Sequence, residues 1–155
     1  MSGDVSIRRA RTNDIAGVLA LVREYWSFEG IAPFEARSVE AQLQFILSKP
    51  ELATLFVAAR ADTLVGYLLL VYVFSLENLG LTSEIDELFV LSSDRDSGVG
   101  RALLSAAEEA SRAAGCTAIA LQLGIGNGRA RRFYERAGYG VRSGFGLLHK
   151  SLAGV

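Results

Sequence analysis

The chain has 155 residues, and its 50% hydrophobic content is enough for one compact domain with a substantial core. Lys+Arg 16 against Asp+Glu 17 gives a formal net charge of -1, without the basic excess of a nucleic-acid binder. The single cysteine, Cys116, excludes an intrachain disulfide and fits a reducing, cytoplasmic setting. The most apolar run, residues 64–74, is short of the ~20 residues a membrane-spanning helix needs, so it reads as a buried strand of a soluble protein. Arg8, Arg9 and Arg11 are followed by Asp14 and Gly17, which makes a poor secretory signal.

Residues 5–9 form a first strand, with Val5 and Ile7 on one face. Thr12 then caps a helix through Tyr25, in which Ile15, Val18, Leu19 and Val22 recur at helical spacing. The aromatic stretch 26–34, with Gly30 and Pro33, breaks that pattern, and Ser38 opens a second helix that ends near Pro50. Residues 55–60 and 64–74 read as two strands joined by the turn Ala61-Asp62-Thr63. A loop over 78–82 precedes a strand over 84–91. A glycine turn then leads into a helix over 98–114, stopped by Gly115.

Residues 117–123 form a further strand and 124–126 a flexible loop, after which Asn127 caps a short helix ended by Gly138. Residues 139–152 are expected to add one or two closing strands. The order β-α-α-β-β-β-α-β-α-β implies a single α/β domain over 1–155. Its central sheet is antiparallel early and parallel where strand-helix-strand units occur, with helices flanking it.

Two motifs carry chemistry. Arg95-Asp96-Ser97-Gly98-Val99-Gly100 is a glycine-rich turn entering a helix, with Arg101 adding charge. Free N–H groups and the helix dipole at such a start bind anions, although Gly-x-Gly also occurs in ordinary tight turns. A dinucleotide fingerprint wants a third small residue where Leu103 stands, and an acid after the next strand where 122–124 supply none. A P-loop wants Gly-Lys-Ser/Thr, which is absent. The second motif is the helix after Asn127, on which Ala130, Phe133, Tyr134 and Ala137 share a face. By itself Tyr134 reads as a packed core tyrosine and Asn127 as a plain cap. Two adjacent parallel strands would bring both helix starts to one cleft.

Together these residues resemble the GNAT superfamily of N-acetyltransferases. Arg95, Gly98 and Gly100 match its Arg/Gln-x-x-Gly-x-Gly/Ala motif. Asn127, Ala130, Phe133, Tyr134, Gly138 and Tyr139 match its Asn-x-x-Ala-x-x-Phe/Tyr-Tyr-x-x-x-Gly-Phe/Tyr motif. The strand 85–90 is similar to the family's central strand, and Ile7-Arg8-Arg9-Ala10 with Asp14 to its usual opening. The chain departs from the pattern at Asp96 and Ser97, where the family often has glycine and a basic residue, and at Gly126, where many members carry an acid.

The resemblance implies acetyl-CoA as cofactor, with no metal. Backbone groups of Phe89 and Val90 would face the thioester and pantetheine arm, and a Val90 N–H would polarise the carbonyl. Arg95, Ser97, Gly98, Val99, Gly100 and Arg101 would hold the pyrophosphate; Asn127, Ala130 and Tyr134 would complete the cofactor site. Tyr134 would donate a proton to the departing thiolate, and a homodimer through the late strands would follow the family's habit.

The acceptor is expected to be a primary amine of a small molecule or peptide, which must lose a proton before attack. Glu87 lies between Ile85 and Phe89 in an apolar strand and suits the base, with Asp86 and Glu84 as alternatives because a bulge changes which residue faces in. Otherwise these acids are a solvated strand face. Tyr25, Trp26, Phe28, Glu29 and Phe34 suit recognition of a cationic amine, or else cap the core. His149 reads as structural and Cys116 as a small apolar residue. A non-catalytic acyl-CoA-binding sensor on the same fold is the competing reading.

Overall fold

The computed structural model describes residues 3–31 and 33–153. Ala32, within the predicted aromatic stretch, and the ends of the predicted 1–155 domain lie outside the described residues. Among the described residues the elements are β1 (Val5–Arg9), α1 (Ile15–Glu29), α2 (Ala36–Leu47), β2 (Ala53–Arg60), β3 (Thr63–Ser75), β4 (Gly80–Val90), α3 (Val99–Ala113), β5 (Ile119–Leu121) and α4 (Gly128–Arg136). Short 3-10 turns at Thr12–Asp14 and Ser92–Asp94 precede α1 and α3. The five strands form one sheet in chain order, antiparallel from β1 to β4, with β4 and β5 adjacent and parallel as the sequence suggested. The chain divides into two compact units, one up to Gln122 and one from Leu123.

In the first unit the sheet alternation sorts the core. Leu55, Val57 and Tyr67 turn toward α1 and α2, where they cluster with Ile15, Val18, Leu21, Val22 and Leu43. Gly66, one residue before Tyr67, faces the other way, against Leu103 of α3. Leu103, Leu104 and Ala107 of α3 are fully buried on that side; each leucine contributes about 1.5–3 kcal/mol of apolar burial. A Cβ at Gly66 would come within 2.9 Å of the Phe89 carbonyl oxygen in the neighbouring strand. Backbone cannot yield there as a flexible side chain can, so Gly66→Ala is expected to cost ~1–3 kcal/mol, read as a lower denaturation midpoint. A midpoint within ~0.5 kcal/mol of the parent would show that β3 and β4 separate freely at this point.

Several boundaries differ from the sequence expectation for identifiable reasons. The first helix runs past Tyr25 to Glu29, because Trp26 continues the apolar face four residues after Val22. The stop is Gly30, which takes φ 68 and lets the Ile31 N–H reach the Trp26 carbonyl at 2.9 Å. The second helix begins at Ala36, before Ser38, with Glu35 extended at its cap. The predicted loop over 78–82 is a tighter turn ahead of Gly80, with Leu79 at φ 57, and β4 pairs with β3 from Gly80 onward. The predicted strand 117–123 contracts to Ile119–Leu121.

Asp14 is buried just ahead of α1, and its side chain ties that start to β1 rather than capping the helix. Its carboxylate accepts from Arg8 Nη1 and Nη2 at 2.7 and 2.9 Å and from the Arg11 N–H at 2.7 Å. The Arg8 hydrogen bonds hold the Asp14 carboxyl below the usual carboxylate range.

The second unit contains α4, where Asn127 Oδ1 accepts from the Ala130 N–H at 3.1 Å, the cap the sequence indicated. The expected closing strands over 139–152 do not form among the described residues. Gly140, Gly144 and Gly146 lie in that segment, and ordering glycine costs more backbone entropy than ordering any other residue. No helix among the described residues is long and apolar enough to cross a membrane.

Candidate functional site

The site in the first unit is built on β4. Its register against β3 slips between the pairs Leu69↔Glu87 and Leu70↔Ile85, so Asp86 is the extra residue of a bulge. In a regular strand Asp86 and Glu87 would face opposite sides. The bulge turns them so that both line one cavity of about 270 Å³ between α1, α2 and the sheet. Val22, Trp26, Val39, Leu43, Ile46, Leu55, Tyr67 and Leu69 make most of the remaining wall, with Ser38 and Gln42 as its polar members.

Glu87 is fixed from two sides. Tyr67 Oη donates to its Oε1 at 2.8 Å, and Trp26 Nε1 donates to its Oε2 at 2.9 Å. Each oxygen keeps a free direction for a further proton contact. Burial raises the Glu87 carboxyl above its ordinary range, the two donors pull it down, and neighbouring Asp86 pushes it up again. Burial also raises Asp86. The acids act back on their surroundings: Tyr67 is pushed up by burial and by Glu87, and Tyr25 to about 12 by burial, Glu87, Glu29 and Asp86. Tyr67→Phe and Trp26→Phe each remove a donor to the carboxylate, so both are expected to raise the Glu87 titration midpoint in a carboxyl NMR measurement. Tyr67→Phe moves it further, since its hydrogen bond is the larger of the two opposing effects.

The same strand runs on past its β5 partner. Its ladder to β5 ends at Ile85↔Leu121, whereas its pairing to β3 continues to Val90. The Leu91 N–H donates to the Val65 carbonyl at 2.9 Å, so by alternation Val90 turns its N–H and C=O toward the far edge. Arg95 Nε takes that carbonyl at 3.1 Å, and the Val90 N–H remains directed outward from the sheet.

Beyond Val90 the turn into α3 is braced rather than loose. Buried Asp94 pairs with Arg60, and Ser97 Oγ donates to the Asp94 carbonyl. Asp96 sits at φ 61 and Gly98 at φ 89, left-handed positions that explain why glycine suits this turn and why a short carboxylate side chain is tolerated. The first helical bond of α3 joins the Ala102 N–H to the Gly98 carbonyl at 3.0 Å. The Val99, Gly100 and Arg101 N–H groups therefore lie ahead of the helical ladder, and no side chain caps them. A Cβ at Gly98 would meet nothing within 4 Å, so the approach to these groups is open. The arrangement is a cradle fit for a phosphate.

The predicted residues therefore divide. Trp26, Asp86 and Glu87 share the cavity, whereas Tyr25, Glu29 and Glu84 are outside its lining. Tyr25 lies against buried Phe89, their tilted rings 5.6 Å apart between centres. The Arg95 guanidinium lies 5.0 Å over Phe28 and 5.7 Å over Phe89, closing the end of the strand, and Arg101 pairs with Glu108 at 3.4 Å. In the second unit Tyr134 is half-buried, its ring 5.0 Å from Phe133 and 5.6 Å from Tyr139. Asn127 uses Oδ1 as a cap, so its amide nitrogen is the atom left for a ligand. Sequence reasoning missed Tyr67 and the α2 wall of Ser38, Val39, Gln42, Leu43 and Ile46. Alternation gave the side of the sheet for Tyr67, but its contact with Glu87 depends on the bulge.

The chain is similar to known proteins in sequence and in fold. The sequence pattern of the Acetyltransferase (GNAT) family matches residues 17–139. YhfO of Bacillus subtilis, described as an uncharacterized N-acetyltransferase, is 30% identical over 91% of this chain and 93% of its own length. The aminoalkylphosphonate N-acetyltransferase of Salmonella typhimurium is 32% identical over 86% of this chain and 83% of its own. An integron cassette protein from the mobile metagenome of Cole Harbour Salt Marsh superposes with a TM-score of 0.83 at 28% identity, covering 96% of this chain and 91% of that one.

Proposed function

The chain belongs to the GNAT acetyltransferase family, and from that premise we propose that it transfers an acetyl group from acetyl-CoA directly to a primary amine. One observation carries the reading. The single strand β4 offers a doubly held carboxylate to a cavity and an outward N–H past the end of its β5 ladder, immediately before an uncapped helix start.

Acetyl-CoA, when bound, supplies the acetyl group as a thioester. The N–H groups of Val99, Gly100 and Arg101 hold the pyrophosphate, with Gly98 leaving the approach open and Ser97 and Arg95 shaping the turn. The Val90 N–H donates to the carbonyl oxygen as negative charge develops there. Glu87 takes the proton from the acceptor amine, directly or through one water, and its elevated carboxyl pKa makes it a stronger base than an exposed glutamate. Asp86 attracts the ammonium into the cavity. In line with the family resemblance, Asn127 and Ala130 bind the pantetheine arm and Tyr134 returns a proton to the leaving sulfur.

The direct test is a thermal-unfolding series with acetyl-CoA, NAD and ATP, followed by thiol release in the presence of amines. A ligand that binds the native state raises the melting temperature by mass action. Stabilisation by acetyl-CoA and amine-dependent thiol release are the expected results. A folded protein that saturating acetyl-CoA leaves unshifted would overturn the cofactor assignment.

A further inference from the structure

Resting on the acetyltransferase reading, we propose that the acceptor is a primary amine with an apolar body and no anionic group. The cavity opens to solvent beside α2, where Ser38 and Gln42 are exposed. Its walls supply the character: Val22, Leu43, Ile46, Leu55 and Leu69 surround the space opposite the acids.

Charge decides the rest. Asp86 and Glu87 are the charged residues of the lining, and no arginine, lysine or histidine joins them among the described residues there. Arg23 lies 4.9 Å over the Phe34 ring, and Arg95 is stacked over Phe28 and Phe89, all outside that lining. The two carboxylates favour a cationic acceptor, whereas a carboxylate or phosphonate on it would meet like charge with no counter-ion in the lining. The acceptor class therefore differs from the one named for the Salmonella aminoalkylphosphonate relative.

In the transfer, the amine nitrogen bonds to the acetyl carbon as the carbon–sulfur bond breaks. The amine proton goes to Glu87, and coenzyme A departs with the bonding pair and is protonated to the thiol.

Trp26 is the sole tryptophan of the chain and stands in the cavity wall, so its fluorescence reports occupancy without any turnover. The protein is titrated with 2-phenylethylamine and hexylamine, then with 2-aminoethylphosphonate and a short peptide with free amino and carboxyl ends. The first two are expected to change Trp26 emission saturably, and the other two to bind about 10-fold more weakly, in line with like charge facing the two acids. Thiol release with acetyl-CoA should rank the amines in the same order. Gln42 is an exposed residue of α2 at the cavity wall, so Gln42→Arg tolerates folding while adding a cation. It should improve 2-aminoethylphosphonate about 10-fold and weaken both monoamines. Preference of the parent protein for the phosphonate or the peptide overturns the proposal, as does silence of Trp26 toward both monoamines. Loss of the acetyl-CoA thermal shift is a separate outcome, which overturns the cofactor reading beneath it.

Discussion

Glu87→Gln is expected to lower kcat/KM for the amine by about 10²–10⁴-fold, the usual contribution of a positioned base. The substitution is nearly isosteric. Glutamine Oε1 still accepts from Trp26 Nε1, and its amide donates to Tyr67 Oη, so both contacts to the side chain are kept with the Tyr67 one reversed. The acetyl-CoA thermal shift should be retained, which separates lost chemistry from lost binding. In the parent protein activity should rise with pH through a limb above the ordinary glutamate range of ~4.3, because burial raises the Glu87 carboxyl. The variant should lose that limb.

Stability moves in the opposite sense to activity. A carboxyl raised on folding contributes stability that is fully present below its unfolded pKa and lost as pH rises through the folded one. Glu87 thus destabilises the folded chain near neutrality, and Glu87→Gln should be at least as stable there as the parent. A variant that keeps parental turnover would falsify the base assignment and transfer the role to Asp86, the other acid of the cavity.

Tyr134→Phe is expected to lower kcat by about 10²-fold while leaving KM for the amine and the acetyl-CoA shift nearly unchanged. The phenol, with a reference pKa near ~10, is protonated at neutral pH and can donate to a thiolate. Phenylalanine preserves the ring contacts with Phe133 and Tyr139, so α4 should keep its packing. Easing the departure of sulfur also gives the prediction a chemical signature. An acetyl thioester with a more acidic thiol needs the donor less, and the deficit of the variant should shrink with such a substrate. A deficit independent of the thiol points to a structural role for the ring, and full activity removes Tyr134 from the mechanism. It would also favour a binding domain over an enzyme only if Glu87→Gln were equally silent.

Local chemistry is what the sequence by itself determined. The period-3.6 face gave α1, the apolar run and the turn at 61–63 gave β2 and β3, and Gly98 and Asn127 gave the two helix starts, because each depends on neighbours a few residues away. Glu87 and Trp26 were legible as site residues from their types and apolar setting, and the glycine turn from its pattern. The parallel pairing of β4 with β5 followed from the helix between them.

Tertiary structure decided what depends on distant partners. The bulge at Asp86 is a mismatch of register between β3 and β4, which no local pattern records, and it alone brings both carboxylates to one cavity. The clamp on Glu87 joins residues 20 and 61 positions away in the chain, so Tyr67 read only as core until the strands were paired. Helix α2 read only as a second helix, and its place in the apolar wall of the cavity beside Glu87 arises from packing beside α1. Arg95 read as a free charge for phosphate, yet two aromatic rings and a strand carbonyl claim it. In each case the deciding energy lies in contacts between elements, and sequence periodicity reports which face is buried, not what it meets there.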